Sequence, residues 1–80
     1  MRMAATAKVI PPIEYTAEEI REIRDNLDMT QERFAFILGV SRKTVEAWEY
    51  GKGTPSGPAA RLLAIADIDP AALKRYGFAE

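Results

Sequence analysis

MTQERFAFILGVSRKTVEAWEYG, residues 29–51, is the stretch that decides the fold, because it predicts two short helices joined by a tight turn. Thr30 and Ser41 stand where the two helices would begin, and a hydroxyl side chain there accepts a hydrogen bond from a free backbone amide. Gly39 ends the first helix, where the backbone turns left-handed, a conformation that glycine adopts at little steric cost. Gly51 ends the second helix for the same reason. A helix, a three-residue turn and a second helix make a helix-turn-helix motif.

Apolar residues recur at helical spacing in both motif helices and predict which face of each helix is buried. They are Phe34, Ala35 and Leu38 in the first helix, and Val45 and Trp48 in the second, which is predicted over residues 42–50. Before the motif, Thr16 and Glu19 form a capping box that predicts another helix. Its inward stripe is Ile20, Ile23 and Leu27, and Arg21 and Arg24 are expected mostly on its outer face.

Two more helices are predicted after the motif. Pro58 fits the first turn of a helix that ends near Ala66. The large apolar residues of that helix are Leu62, Leu63 and Ile65. Asp69 and Pro70 repeat the same cap-and-proline start before a last short helix over residues 71–76. Five helices and no predicted strand give an all-α fold class.

Residues 1–14 are predicted to be an extended, flexible arm, and residues 15–80 a single domain. Within the arm, the apolar run KVIPPI (residues 8–13) is interrupted by prolines and therefore cannot be helical. Two interpretations of this run stay open. It is either a tail whose Val9 and Ile10 dock loosely on the domain, or an arm that pairs with a partner chain by strand addition.

Composition argues against several classes of function. The chain has no cysteine and no histidine, so it lacks thiol chemistry, the commonest metal ligand and the usual acid–base residue. Ser41 and Ser56 have no evident base beside them, so we predict no enzymatic activity, cofactor or metal. No apolar run approaches the about 18 residues of a membrane span and no signal peptide pattern opens the chain, so a cytoplasmic location is expected.

The net charge of −1 gives no support to unspecific polyanion binding, but the charges are unevenly distributed. Residues 11–29 carry two arginines against six acidic residues, whereas residues 30–55 carry four cations against three acidic residues. The motif is therefore the positive part of the predicted domain. The acidic first helix is expected to point away from any nucleic acid.

Residues 30–55, TQERFAFILGVSRKTVEAWEYGKGTP, resemble the Xre/Cro type of helix-turn-helix, the family of phage repressors and many bacterial regulators. The shared elements are Thr30-Gln31, Phe34-Ala35, Leu38-Gly39-Val40-Ser41, Thr44-Val45, Trp48-Glu49, Gly51-Lys52 and Pro55. The resemblance covers most of the chain, roughly residues 16–70. It implies a five-helix, lambda-repressor-like domain that binds double-stranded DNA sequence-specifically.

The same resemblance implies that the start of the second motif helix reads bases in the major groove. The implied base-contacting residues are Arg42, Lys43 and Ala47, with Ser41 and Thr44 at the edge of the groove. Arginine and lysine donate to guanine O6 and N7, and alanine can touch a thymine methyl. The alternative is that Arg42 and Lys43 form an ordinary solvated face. Trp48 is large enough to stack on a base, but its spacing with Val45 assigns it to the core.

Phosphate contacts are implied for Gln31, at the start of the first motif helix, and for Lys52, in the loop after the second. Arg33 is a weaker candidate for the same role. The alternative is that Gln31 is a solubilising residue and Lys52 a loop charge. Glu49 is expected to neutralise a nearby cation, and the sequence leaves open whether this is Arg33 or Lys52.

The flanks IPPIEYTAEEIREIR (residues 10–24) and PSGPAARLLAIADIDP (residues 55–70) resemble the short HigA-type antitoxins. That resemblance implies a small, basic, RelE-like RNA-cleaving toxin as partner and repression of the protein's own operon. The acidic helix, the arm or both would meet the toxin. Two other functions stay open: a stand-alone repressor without a protein partner, and an interaction module that has lost DNA binding.

A single motif covers little DNA, so specific binding generally uses two copies on half-sites about one helical turn apart. We therefore expect a homodimer on a palindromic operator. Leu73, Tyr76 and Phe78 near the C-terminus are expected either to make the dimer contact or to cap the core of a monomer.

Overall fold

A computed structural model describes residues 14–75, and helices occupy most of this range. In chain order they are α1 (Ala17–Asn26), α2 (Gln31–Leu38), α3 (Arg42–Glu49), α4 (Gly57–Ile68) and α5 (Pro70–Arg75). No strand occurs between residues 14 and 75, so the predicted all-α class with five helices is confirmed. Tyr76, Phe78 and all of the predicted arm except Glu14 lie outside the described residues.

The capping residues act as their positions predict. Thr16 Oγ1 accepts a hydrogen bond from the Glu19 amide at 3.1 Å, and Glu19 Oε1 accepts one from the Thr16 amide at 2.8 Å. Thr30 and Ser41 begin α2 and α3 by accepting from the amide three residues on, each at 3.1 Å. Gly39 ends α2 with a left-handed φ of 75°. Sequence-local signals therefore fix where the motif helices begin and turn.

One apolar core holds the helices together. Its fully buried large side chains are Phe34 of α2, Ile20 of α1, Leu63 of α4 and Val45 of α3. Trp48 joins them at 5% exposure, which confirms its assignment to the core. α2 packs on α3, α1 packs along α3, and α4 packs against both α2 and α5. Since α3 is held from two sides, only its remaining face meets solvent.

α4 and α5 differ in detail from the prediction. α4 is longer than predicted, and Ile65, one of the large apolar residues predicted in it, is 39% exposed. The buried stripe of α4 is made by Leu63 with small alanines, and Ile65 lies two residues from Leu63, nearly on the opposite side of the helix. Leu73 of α5 is 3% exposed and belongs to the core, which favours the second of its two interpretations, that it caps the core.

The described helices also bear on membrane insertion. None of those between residues 14 and 75 is long and apolar enough to cross a bilayer.

Candidate nucleic-acid interface

α3 turns one face to the core and the opposite face to solvent. Val45 and Trp48 define the inner face. Lys43, Ala47 and Tyr50 follow one another at i, i+4 and i+7 and therefore line up on the opposite side. We call these three residues the outer ridge. At 1.5 Å of rise per residue the ridge is about 10 Å long, and an α-helix with its side chains is about 10–12 Å across. That diameter fits a major groove about 12 Å wide.

The predicted base-contacting residues are gathered at the start of α3, on and beside this ridge. Ser41, Arg42 and Lys43 are exposed, whereas Thr44 and Ala47 are half-buried. The hydroxyls of Ser41 and Thr44 lie 2.9 Å apart and share a hydrogen bond. Arg42 Nη2 is 3.1 Å from a carboxylate oxygen of Glu46, one turn further along the helix. The Lys43 ammonium has no ion-pair partner within residues 14–75.

The predicted phosphate-contacting residues lie at different places around α3. Gln31 is half-buried and lines an open groove whose walls are Arg24, Thr30, Gln31, Glu32 and Arg42. Lys52 is exposed, and its amide donates to the Ala47 carbonyl oxygen at 2.7 Å, which fastens the loop to the end of α3. Arg33 is exposed and lines an adjoining hollow beside Phe36, which shares Thr30 and Glu32 with the groove. The structure thus brings Gln31 and Arg42 together in one groove and places Arg33 in the hollow next to it.

Behind the interface lies a buried polar cluster centred on Glu49, which is only 4% exposed. Arg24 holds its carboxylate with two hydrogen bonds, from Nε to Oε2 at 2.7 Å and from Nη2 to Oε1 at 3.0 Å. Gln31 Nε2 donates to Oε1 at 3.0 Å, and Arg21 donates to the backbone oxygen of Glu49. Arg24 also donates to the carbonyl of Met29 at 3.0 Å. The cluster therefore ties α1, the start of α2 and the end of α3 into one unit.

Two opposing effects act on the pKa of Glu49. Burial raises it, but the hydrogen bonds from Arg24 and Gln31, with the attraction of Arg24 and Arg21, outweigh burial and leave it below the ordinary glutamate value. The hydrogen bond with Glu49 in turn raises the pKa of Arg24. Both side chains are consequently ionised at neutral pH.

This pairing corrects two expectations from the sequence. Glu49 was expected to neutralise Arg33 or Lys52, and its partner is Arg24, 25 residues earlier in the chain. Arg24 was expected on the outer face of α1, yet its side chain is only 17% exposed. The position of Arg24 between Ile23 and Leu27 places it at the border of the inward stripe, which could have indicated its partial burial. No local sequence pattern identifies Glu49 as its partner.

Tyr50 is an exposed residue beside the candidate base contacts that the sequence did not single out. It was counted as the end of the second motif helix, whereas in the structure it caps α3 at 78% exposure and completes the outer ridge. Its hydroxyl makes no hydrogen bond within the described part of the chain. The spacing to Lys43 and Ala47 was the signal that could have identified it.

Comparison with known proteins identifies relatives of this arrangement. A helix-turn-helix family profile matches residues 20–67. Antitoxin HigA-2 of Vibrio cholerae is 38% identical over 56 residues, which are 70% of this chain and 54% of that protein. The type II methyltransferase M.SsoII of Shigella sonnei is 43% identical over 55 residues, 65% of this chain but only 14% of that protein. The chain thus spans about half the length of the antitoxin and a small part of the methyltransferase.

Proposed function

The chain belongs to the Xre-type helix-turn-helix family, and on that premise we propose that it is a sequence-specific DNA-binding transcriptional regulator. The observation that carries this proposal is the outer ridge of α3, a solvent-facing row beside a groove lined by Arg24 and Arg42. In this family of motifs the second helix enters the major groove with its N-terminal residues on base edges. Arg42 and Lys43 donate to guanine, Ala47 contacts a thymine methyl, and Ser41 and Thr44 meet the edge of the groove.

The groove beside α3 is the proposed seat of a phosphate. The free amides at the start of α2 and the positive end of its dipole favour an anion there. Gln31 contributes to this site with its backbone amide, while its side chain is held by Glu49. Lys52 provides a second phosphate contact beyond the far end of the ridge, and Arg33 a weaker one. Such contacts position the protein on the duplex, and the ridge supplies the sequence readout.

Replacing Arg42 or Lys43 by alanine is expected to weaken binding to the preferred site by about 1–3 kcal/mol and to relax base preference there. Both side chains are exposed, so the fold should not change. Fluorescence anisotropy titrations on the preferred duplex and on base-substituted duplexes measure both effects. Arg75→Ala, which removes the same charge from α5, is the matched control. Unchanged affinity and base preference in both variants would remove the assignment of α3 as the reading helix.

We further propose that the regulator is the antitoxin of a HigA-type pair, which binds a RelE-like toxin and, as a homodimer on a palindromic operator in the cytoplasm, represses its own operon. The similarity to a Vibrio cholerae antitoxin supports this proposal. The exposed acidic residues of α1 support it as well, since they form a negative surface suited to a small basic protein. They are Glu18, Glu19, Glu22 and Asp25.

The antitoxin proposal predicts the outcome of co-expression with the small open reading frame next to this gene. That frame alone should arrest growth, and this chain should restore growth and co-purify with its product. The double variant Arg42→Ala/Lys43→Ala should still rescue growth while losing DNA binding. Charge reversal at Glu22 and Asp25 should abolish rescue of growth and co-purification while leaving DNA binding intact. A harmless neighbour that never co-purifies would favour a stand-alone repressor, and rescue without any DNA binding by the unmodified chain would favour an interaction module.

A further inference from the structure

Glu46 is an acidic residue on the surface of α3 that would meet DNA. The second acidic residue of this helix, Glu49, is buried, so Glu46 alone among residues 42–49 presents a carboxylate to solvent. Its side chain is 36% exposed and lies one turn after Arg42, with a carboxylate oxygen 3.1 Å from Arg42 Nη2. In angular position it lies beside Lys43 and Ala47 of the outer ridge.

Helix stability accounts only weakly for this ion pair. An i, i+4 pair stabilises a helix best when the acidic residue comes first, and here the arginine comes first. Each charge also stands at the unfavourable end of the helix dipole, with Arg42 in the first turn and Glu46 towards the last. The pair therefore stabilises α3 less than the reversed order would.

A carboxylate on a DNA-reading face repels the phosphates of every sequence unless it makes a favourable contact of its own. The exocyclic N4 amine of cytosine is the major-groove donor that a carboxylate accepts from. Guanine and the O4 side of thymine present acceptors, and adenine places its N7 acceptor beside its amine. A carboxylate at this position thus favours cytosine and disfavours the other three bases.

We propose, on the basis of the DNA-binding function proposed above, that Glu46 is a specificity-determining residue whose carboxylate accepts a hydrogen bond from cytosine N4 while orienting Arg42 towards guanine. The two residues are four apart, about 6 Å along the helix axis. Bases stack about 3.4 Å apart, so the cytosine lies one or two base pairs from the guanine that Arg42 contacts. Glu46 also keeps binding to unrelated DNA weak, because its carboxylate accepts a hydrogen bond from the DNA only where that cytosine is present.

The test compares Glu46→Gln with the unmodified chain and with Asp67→Asn, which removes the same charge from an exposed position on α4 and keeps an acceptor for the Tyr15 hydroxyl. Sites are selected from a randomised duplex pool for each protein. The affinities of all three proteins are then measured by anisotropy for four duplexes that differ only at the selected cytosine, and for an unrelated duplex. Circular dichroism confirms that each variant is folded.

The unmodified chain and Asp67→Asn should select the same site, with cytosine at one position. Glu46→Gln should shift that position towards adenine, because a glutamine amide pairs with adenine N6 and N7. It should bind the cytosine-containing site roughly tenfold more weakly, a change of about 1.4 kcal/mol, while binding unrelated DNA more tightly. If Glu46→Gln instead keeps the cytosine preference, or gains affinity equally on all duplexes, the proposal is overturned. If the unmodified chain selects no site at all, the proposed DNA-binding function fails first.

Discussion

Replacing Glu49 by alanine is expected to lower the free energy of unfolding by about 3 kcal/mol, because it leaves the guanidinium of Arg24 charged, half-buried and without its carboxylate. Gln31 loses a hydrogen-bond acceptor in the same change. A domain of this size has a total stability of roughly 4–12 kcal/mol. The expected loss is a large fraction of that total, so the variant should unfold at a clearly lower urea concentration. Urea titration at neutral pH, followed by the fluorescence of Trp48, measures the shift.

The control for this prediction is a joint replacement of both partners. Arg24→Met with Glu49→Leu removes both charges and fills the space with apolar groups, and should recover much of the stability that either single change loses. Glu49→Gln probes the pH dependence. Because the folded pKa of Glu49 is lowered, its contribution is complete above the ordinary glutamate pKa and declines as the pH falls through the folded value. That acid-induced loss should be smaller in Glu49→Gln. A Glu49→Ala protein as stable as the unmodified chain would contradict the account.

The Glu49 cluster contributes both to the stability of the fold and to the geometry of the candidate DNA interface. Arg24 and Gln31 hold the Glu49 carboxylate and at the same time line the groove proposed for a phosphate. Glu49 lies at the end of α3, so the cluster fixes how the outer ridge sits relative to the start of α2. A change at Glu49 should therefore weaken DNA binding even in the fraction of molecules that remains folded, because the two contact points would no longer share one geometry.

The parts of this fold that could be predicted from the sequence are those decided by neighbours in the chain. Caps such as Thr30 and Ser41 and the left-handed Gly39 act within four residues, so the motif and the five helices could be predicted. The partner of Glu49 is decided by how α1 lies along α3, which periodicity does not specify. The buried side of α4 is also decided by packing, since Leu63 and the alanines around it make the buried stripe and leave Ile65 39% exposed.

The same distinction applies to the candidate interface. Arg42, Lys43 and Ala47 are predicted base contacts because the motif resemblance places them on the second motif helix, and these roles stay predictions. Tyr50 was not singled out, because it stands at the end of the helix. A difference of one residue in where the helix ends decides whether the Tyr50 side chain lines up with Lys43 and Ala47. For Trp48, the spacing with Val45 favoured core packing over base stacking. These two roles predict different effects of mutation.

Trp48→Ala is expected to cost about 3–5 kcal/mol of unfolding free energy, because it empties the space of a large core side chain between α3 and its neighbours. Circular dichroism follows the unfolding, since this change removes the fluorescent probe. Trp48→Phe keeps most of the apolar volume, so it should be far less destabilised and should bind the preferred duplex with unchanged affinity. Stacking on a base would give the reverse pattern, in which alanine weakens DNA binding without loss of stability and phenylalanine partly restores it. At 5% exposure the indole ring of Trp48 is not accessible to a base. Trp48→Ala should therefore lower the stability of the fold, and any loss of DNA affinity should follow from unfolding.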